Sequence, residues 1–352
     1  MPFSSKLASL LAKFADYRHL VIGGELQLLA DRSTSLEDCF DNLTCADSSL
    51  NSSRPELARE LALQIWHADA DKGPDRIVTC VWVEPLASDG QTRIQFAAHS
   101  QRGTVIAETE SLSIWNKQSS WEMVGFAILN MVQSMFDGQK KVWSNISPTC
   151  RLTYQSATCP ENWQTQLRTN QLVNTSNTSL DEAAPFILSG SFNPFHDGHR
   201  AMAEYARQTY HQSVDYELSI TNSDKPPIDY MEIKVRTHQE FAPGHLWLTQ
   251  APTFERKAKL FPNRTFLVGA DTIKRIGDAR FYGNDLKLRD KSISYIKDRD
   301  CRFLVFGRLA EGEFESLEKV DLPKVLLGLC EEVTEEQFRV DVSSTEIRSS
   351  VQ

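Results

Sequence analysis

Residues 186–210 read FILSGSFNPFHDGHRAMAEYARQTY. Phe186–Leu188 is a short apolar run, as a buried strand requires. It enters a turn containing Gly190. From His199 to Tyr210, Met202, Tyr205, Ala206 and Tyr210 recur at helical spacing. Strand, glycine turn and helix in that order open a βαβ unit. Such a glycine-containing turn lets backbone N–H groups approach an anion, and the helix N-terminus adds a positive field. His196 and His199 stand three residues apart, a spacing that puts both imidazoles on one side of a first helical turn. There they can donate to phosphate oxygens and stabilise charge growing at phosphorus. A plain helix cap with two incidental histidines is the competing reading. A metal site would need a third ligand, and no metal is expected to be bound by the chain itself.

Outward from this stretch the chain alternates. Tyr216–Ile220, Leu246–Thr249, Thr265–Val268, Phe303–Phe306 and Arg339–Val342 are predicted strands with helical stretches between several of them. Strands alternating with helices imply a parallel sheet covered on both faces, with ligands beyond the carboxyl ends of its strands. After the third of these strands comes Gly269-Ala270-Asp271, where an aspartate can accept from ribose hydroxyls. Lys225, in NSDKPP, and Arg308, after FLVFG, are candidates to meet a phosphate. Near the end, Val342-Ser343-Ser344-Thr345-Glu346-Ile347-Arg348 has capping-box spacing from Ser343 to Glu346. Hydroxyls and N–H groups at a helix start make a second anion site, and Arg348 can fork onto phosphate.

The N-terminal half carries no motif that declares chemistry. Leu57–His67 and Trp121–Phe136 read as helices, Arg76–Val83 and Thr92–Ala98 as strands, so this half is α/β too. The polar stretch QLRTNQLVNTSNTSLDEAAP lacks apolar periodicity and reads as linker. The expected division is a domain over 1–160, a linker over 161–184 and a second domain over 185–352. Formal net charge is -9 in 352 residues, which disfavours nucleic acid as a partner. Seven cysteines without CxxC spacing argue against a disulfide framework and a zinc site. No apolar run is long enough to span a bilayer, so no membrane partner is expected. In MPFSSKLASLLAKFADYRH, Leu7, Leu10, Leu11 and Phe14 share a helical face. An ordinary amphipathic first helix and a cytoplasmic protein are expected, a mitochondrial presequence being the alternative.

GSFNPFHDGH resembles the HxGH signature of the nucleotidyltransferase superfamily, in the form found in nicotinamide and nicotinate mononucleotide adenylyltransferases. SSTEIR is similar to that superfamily's second signature. The resemblance implies a Rossmann-like domain over 185–352 that moves AMP from ATP onto a phosphorylated acceptor, most simply a pyridine mononucleotide, releasing pyrophosphate. It implies catalytic roles for His196, His199 and Arg348. Gly190, Ser191, Phe192, Gly269, Asp271, Ser343, Ser344 and Thr345 would hold the nucleotide, and Lys225 and Asn193 the acceptor. Mg²⁺ would come with ATP, held by phosphate and water. Another acceptor, such as phosphopantetheine, or a nucleotide-binding regulator without turnover are the alternatives. The family commonly places tryptophan just after Gly-Ala-Asp, whereas here Phe281 and Tyr282 are the aromatic residues. Residues up to about 140, mainly Arg76–Leu112, are similar to the CinA-like domain. Its serine motif is not recognisable, and the polar SSLNSS, Ser48 to Ser53, has no base nearby in sequence. The N-terminal domain is therefore expected to be non-catalytic, supporting the C-terminal half or making a homo-oligomer.

Overall fold

The computed structural model describes residues 17–24, 40–45, 56–73, 76–84, 91–109, 112–113, 127–128, 131–132, 152–175, 183–221, 227–310 and 313–340. The chain divides into two compact units, Met1–Arg168 with Asp229–Glu232, and Thr169–Ile228 with Ile233–Gln352.

In the first unit the elements run β1 (Tyr17–Gly24), β2 (Asn42–Cys45), α1 (Leu57–Ala68), β3 (Arg76–Val83), β4 (Gln91–Thr92), β5 (Ile94–Ser100), β6 (Gly103–Thr109), β7 (Leu112–Ser113), β8 (Leu152–Thr158) and α2 (Glu161–Arg168). Six strands form one sheet in the order β2-β1-β3-β5-β6-β8. β1 is parallel to both β2 and β3, and the remaining pairs are antiparallel. Every residue of β3 and β5 is buried, including the polar Thr79, Gln95 and His99. α1 is built of good helix formers and lays Leu57, Ala58 and Ala62 on Val21, Val78, Cys80, Trp82 and Ala97.

In the second unit β9 (Val173–Asn174), β10 (Phe186–Ser189), α3 (Asp197–Tyr210), β11 (Val214–Ser219), α4 (Tyr230–Thr237), β12 (Leu246–Thr249), α5 (Phe254–Leu260), β13 (Thr265–Gly269), α6 (Ala270–Gly277), α7 (Leu286–Asp298), β14 (Arg302–Phe306), β15 (Arg308–Ala310), β16 (Glu313–Glu315), α8 (Lys324–Leu327) and β17 (Cys330–Val333) follow in order. The sheet order is β17-β14-β13-β10-β11-β12-β9. All neighbours are parallel except β9 against β12. The chain winds from β10 through β11 to β12, then returns across the sheet to β13. Strand order reverses between β10 and β13, which opens a crevice at their carboxyl ends. One face of the sheet is packed by Ile187, Trp247, Phe261, Phe266, Ile273, Ile293 and Phe303.

Two buried acids set the frame. The Asp215 carboxylate accepts from the N–H groups of Ala184 (3.0 Å) and His245 (2.8 Å) and from Trp247 Nε1 (2.9 Å). Glu217, with no exposed side-chain surface, pairs with Lys257 of α5 and accepts from the Thr249 hydroxyl at 2.5 Å. A buried charge is tolerated only when paired and hydrogen-bonded, so Glu217 anchors the crossover helix onto the sheet.

The sequence reading needs four corrections. The expected linker over 161–184 contains α2 and the edge strand β9; its polar composition hid an edge that only two residues pair. Arg339 and Val340 are in no strand. The sheet's other edge is instead Cys330–Val333, whose sequence CEEV is charged at the centre, as edge strands often are. The strand expected over Thr92–Ala98 begins at Ile94 after a break at Arg93. Finally, the quoted N-terminal stretch ends in strand, since Tyr17–His19 belong to β1. The rest of that stretch, with Leu7 to Phe14, lies outside the described residues, as does SSLNSS. Of Trp121–Phe136, Ala127, Ile128, Met131 and Val132 are described, and all four are helical and buried. Among the described residues no helix is long and apolar enough to cross a membrane.

Removing one member of a buried ion pair leaves the other uncompensated. Lys257→Met is expected to destabilise the second unit by about 3–5 kcal/mol, read from urea unfolding. The double variant Glu217→Gln with Lys257→Met should recover much of that loss. Equal losses in both would show that the charge is not what matters.

Candidate active site

The loop between β10 and α3 is shaped by one aromatic ring. Phe192 has φ 46, the left-handed region, which costs a non-glycine residue roughly 1–2 kcal/mol. Its ring is wholly buried, and burying a phenylalanine side chain contributes about 1.5–3 kcal/mol, enough to offset that cost. The ring packs edge-on against Phe195, Tyr216, Phe241 and His199. It also explains Gly190, because a Cβ there would sit 2.6 Å from Phe192 Cε1. The Gly190 N–H donates to the Glu217 carbonyl at 3.0 Å and completes the sheet ladder, so at this position the glycine supplies space.

The loop is fixed from α4 and the turn after it. Arg236 donates to the Ser191 carbonyl at 3.0 Å. The Gln239 amide reaches both sides of the turn containing the cis Asn193–Pro194 peptide: it donates to the Phe192 carbonyl at 2.7 Å and accepts from the Phe195 N–H at 2.6 Å. Asn193 lies inside that clamp, partly exposed. Sequence reading missed Gln239 and Arg236, since nothing local marks a polar residue some turns away as a partner of this loop.

His196 and His199 come together, in a manner different from the expected pairing on a helical face. α3 starts at Asp197, and His196 is its N-cap in extended conformation. His196 Nδ1 accepts from the Gly198 N–H at 3.2 Å, and His199 Nδ1 accepts from the His196 N–H at 3.3 Å. This is a capping box made of imidazoles, where serine or aspartate with glutamate is usual. A nitrogen that accepts a backbone N–H carries no proton, so each neutral ring holds its proton on Nε2. Both rings thus present an N–H donor away from the helix. Their centroids are 3.9 Å apart, and Phe195 stacks on His199 at 5.5 Å.

Burial lowers the affinity of both rings for a further proton. His199 is pushed down to about 3 by burial first, then by His196 and by Arg200. His196 is lowered by burial, with Asp197 opposing and Arg200 assisting. Both are neutral donors at physiological pH. Arg200, not singled out from the sequence, is half exposed beside them, over the Phe195 ring at 4.8 Å and paired with Asp197 at 3.2 Å. Its place four residues after His196 was the available signal.

Across the crevice, Gly269 ends β13 and caps α6, with nothing within 4 Å of where a Cβ would be. Asp271 lies in the first turn of α6. β10 and β13 are in parallel register, Leu188 against Leu267, so the chain leaves toward α3 and toward α6 from the carboxyl ends of neighbouring strands. Two helix N-termini there create a positive field. Phe281 and Tyr282 follow the far end of α6, a helix that spans about 12 Å, and so stand away from Asp271. Tyr282 donates to the Ile276 carbonyl and Phe281 is exposed. Arg308 begins β15. Lys225, Ser343, Ser344, Thr345 and Arg348 lie outside the described residues.

The crevice thus offers neutral N–H donors, which can donate to an anion. A comparison of the chain with curated proteins finds no match. Residues 187–350, from β10 through both sequence signatures, match the family model described as Cytidylyltransferase-like, so this part of the chain is similar to that family.

Proposed function

We propose that the domain transfers AMP from ATP to nicotinamide or nicotinate mononucleotide, giving a dinucleotide and pyrophosphate. The observation that supports this reading best is the imidazole capping box, which holds two neutral Nε2–H donors at the crevice. An oxygen of the acceptor phosphate attacks the α-phosphorus of ATP in line. The bond to the bridging oxygen breaks, and pyrophosphate leaves. No covalent enzyme intermediate is needed, because positioning and charge stabilisation accomplish the transfer. His196 and His199 donate to oxygens on which charge grows. Ser343, Ser344 and Thr345 hold the β- and γ-phosphates, and Arg348 forks onto them. Gly269 gives the nucleoside room, and Asp271 accepts from its ribose. Asn193 and Lys225 meet the acceptor. Mg²⁺ enters with ATP as part of the substrate, on phosphate oxygens and water.

A second reading keeps the reaction and changes the acceptor to another phosphorylated molecule, such as phosphopantetheine. It is favoured by the position of Phe281 and Tyr282 beyond the far end of α6 rather than next to Asp271. A screen of phosphorylated acceptors with ATP and Mg²⁺, reading pyrophosphate, separates the two. Release with either pyridine mononucleotide is expected. Release only with phosphopantetheine would move the assignment to the second reading. Silence with every acceptor, while ATP still binds, would make the domain a nucleotide-binding regulator.

His199→Ala should lower turnover by about 10²–10³-fold, the loss typical of one preorganised donor. Near-normal turnover would remove His199 from the chemistry.

The neutral state of His199 also links to stability. Its folded value of about 3 lies below the ordinary 6.5, so the unfolded chain takes up the proton more readily. Its stabilising contribution is complete above the ordinary value and shrinks as pH falls through it toward the folded one. From about pH 7 to about pH 4 the native chain should lose more stability than His199→Gln. Equal losses would show that the ring is not held neutral by the fold.

A further inference from the structure

The sequence offers no base beside a hydroxyl in the N-terminal half, but the fold of the first unit creates one. β1 and β2 run parallel with His19 against Asn42 and Val21 against Thr44. His19 and Val21 share a face of β1, so Thr44 projects on the same side as His19, one step diagonal to it. That is the face covered by α1, and the chain leaving α1 turns at Asp69. Three residues remote in sequence therefore meet. His19 Nε2 lies 2.7 Å from Thr44 Oγ1, and His19 Nδ1 lies 2.6 Å from Asp69 Oδ2. An ionised carboxylate only accepts, so Nδ1 carries a proton, and in the neutral ring Nε2 accepts from the threonine hydroxyl. The imidazole is buried, at 3% exposure, while the Asp69 side chain retains 16% and Thr44 is partly exposed. Hydroxyl, base and orienting carboxylate stand at hydrogen-bonding distance in the order that nucleophilic catalysis uses.

We propose that Thr44, His19 and Asp69 form a second active site, one that cleaves carboxylic esters through an acyl-threonine. Thr44 Oγ1 bonds to the ester carbonyl carbon as its proton passes to His19 Nε2. The bond to the ester oxygen then breaks, and the leaving alcohol takes that proton from Nε2. Water next adds to the acyl carbon, giving a proton to Nε2. The bond to Oγ1 breaks, and Thr44 regains the proton as the carboxylic acid leaves. Asp69 holds the ring in its tautomer and stabilises the imidazolium formed in each half.

The test uses the full chain and p-nitrophenyl acetate. Release of p-nitrophenolate is read by absorbance and the acetyl adduct by peptide mass spectrometry. An adduct on Thr44 is expected, with turnover above the buffer rate. Thr44→Val keeps the side-chain shape and removes the hydroxyl, so it should still fold, with a lowered Tm because His19 Nε2 loses its partner, and lose both adduct and turnover. Thr44→Ser should retain them. His19→Gln should lower the rate by about 10²–10⁴-fold, the contribution of a positioned base. Should His19→Gln fail to fold, the valine and serine variants decide alone. An adduct only at other residues, release unchanged in Thr44→Val, or no release above the buffer rate would each overturn the proposal and leave the triad a structural tether of β1, β2 and α1.

Discussion

The first N–H groups of a helix have no partner within it, and at α3 two imidazoles help to meet that demand, His196 taking the Gly198 N–H and His199 the N-cap N–H. Everything at the crevice follows from this choice. An oxygen cap would have satisfied the backbone and ended there. A ring passes the interaction on: the helix donates into Nδ1, and the proton on Nε2 faces outward. Three N–H groups of the first turn are occupied, that of Gly198 by His196 Nδ1 and those of His199 and Arg200 by the His196 carbonyl. The donors have been moved outward by the width of a ring.

Such rings serve only while neutral, and the surroundings keep them so. Phe192 and Phe195 bury His199, Arg200 adds positive charge nearby, and the helix start opposes a further proton. The same Phe192 dictates Gly190 and takes up a strained backbone. One aromatic side chain thus links the end of β10, the turn and the protonation state of the site. In a chain of net charge -9, this local arrangement can attract an anion through oriented N–H groups rather than through excess lysine and arginine.

How much of this the sequence showed depends on whether contacts were local. β10, β12, β13 and β14 were readable within a residue because their runs are apolar and short. The paired histidines were readable because their spacing is local. The edge strands β9 and β17 were not, since an edge residue pairs on one side only and tolerates polar side chains. The histidines' role as a mutual cap was hidden, because it depends on which ring nitrogen faces the backbone. Gln239 and Arg236 were invisible because they act across tens of residues. In the N-terminal unit, His19, Thr44 and Asp69 carry no local pattern at all; parallel pairing and the exit of α1 bring them together.

The Gln239 clamp sets an unusual limit on change. Its carboxamide meets a carbonyl on one side of the turn and an N–H on the other, so donor and acceptor must lie on one rigid plane at this reach. Glutamate has the same shape and would turn a lone pair toward the Phe192 carbonyl; lysine would offer nothing to the Phe195 N–H; asparagine is one carbon short. The loop bearing the imidazoles is therefore held by a side chain with no chemical synonym, and slow hydrolysis of that single amide to the acid would loosen the turn while leaving both imidazoles intact.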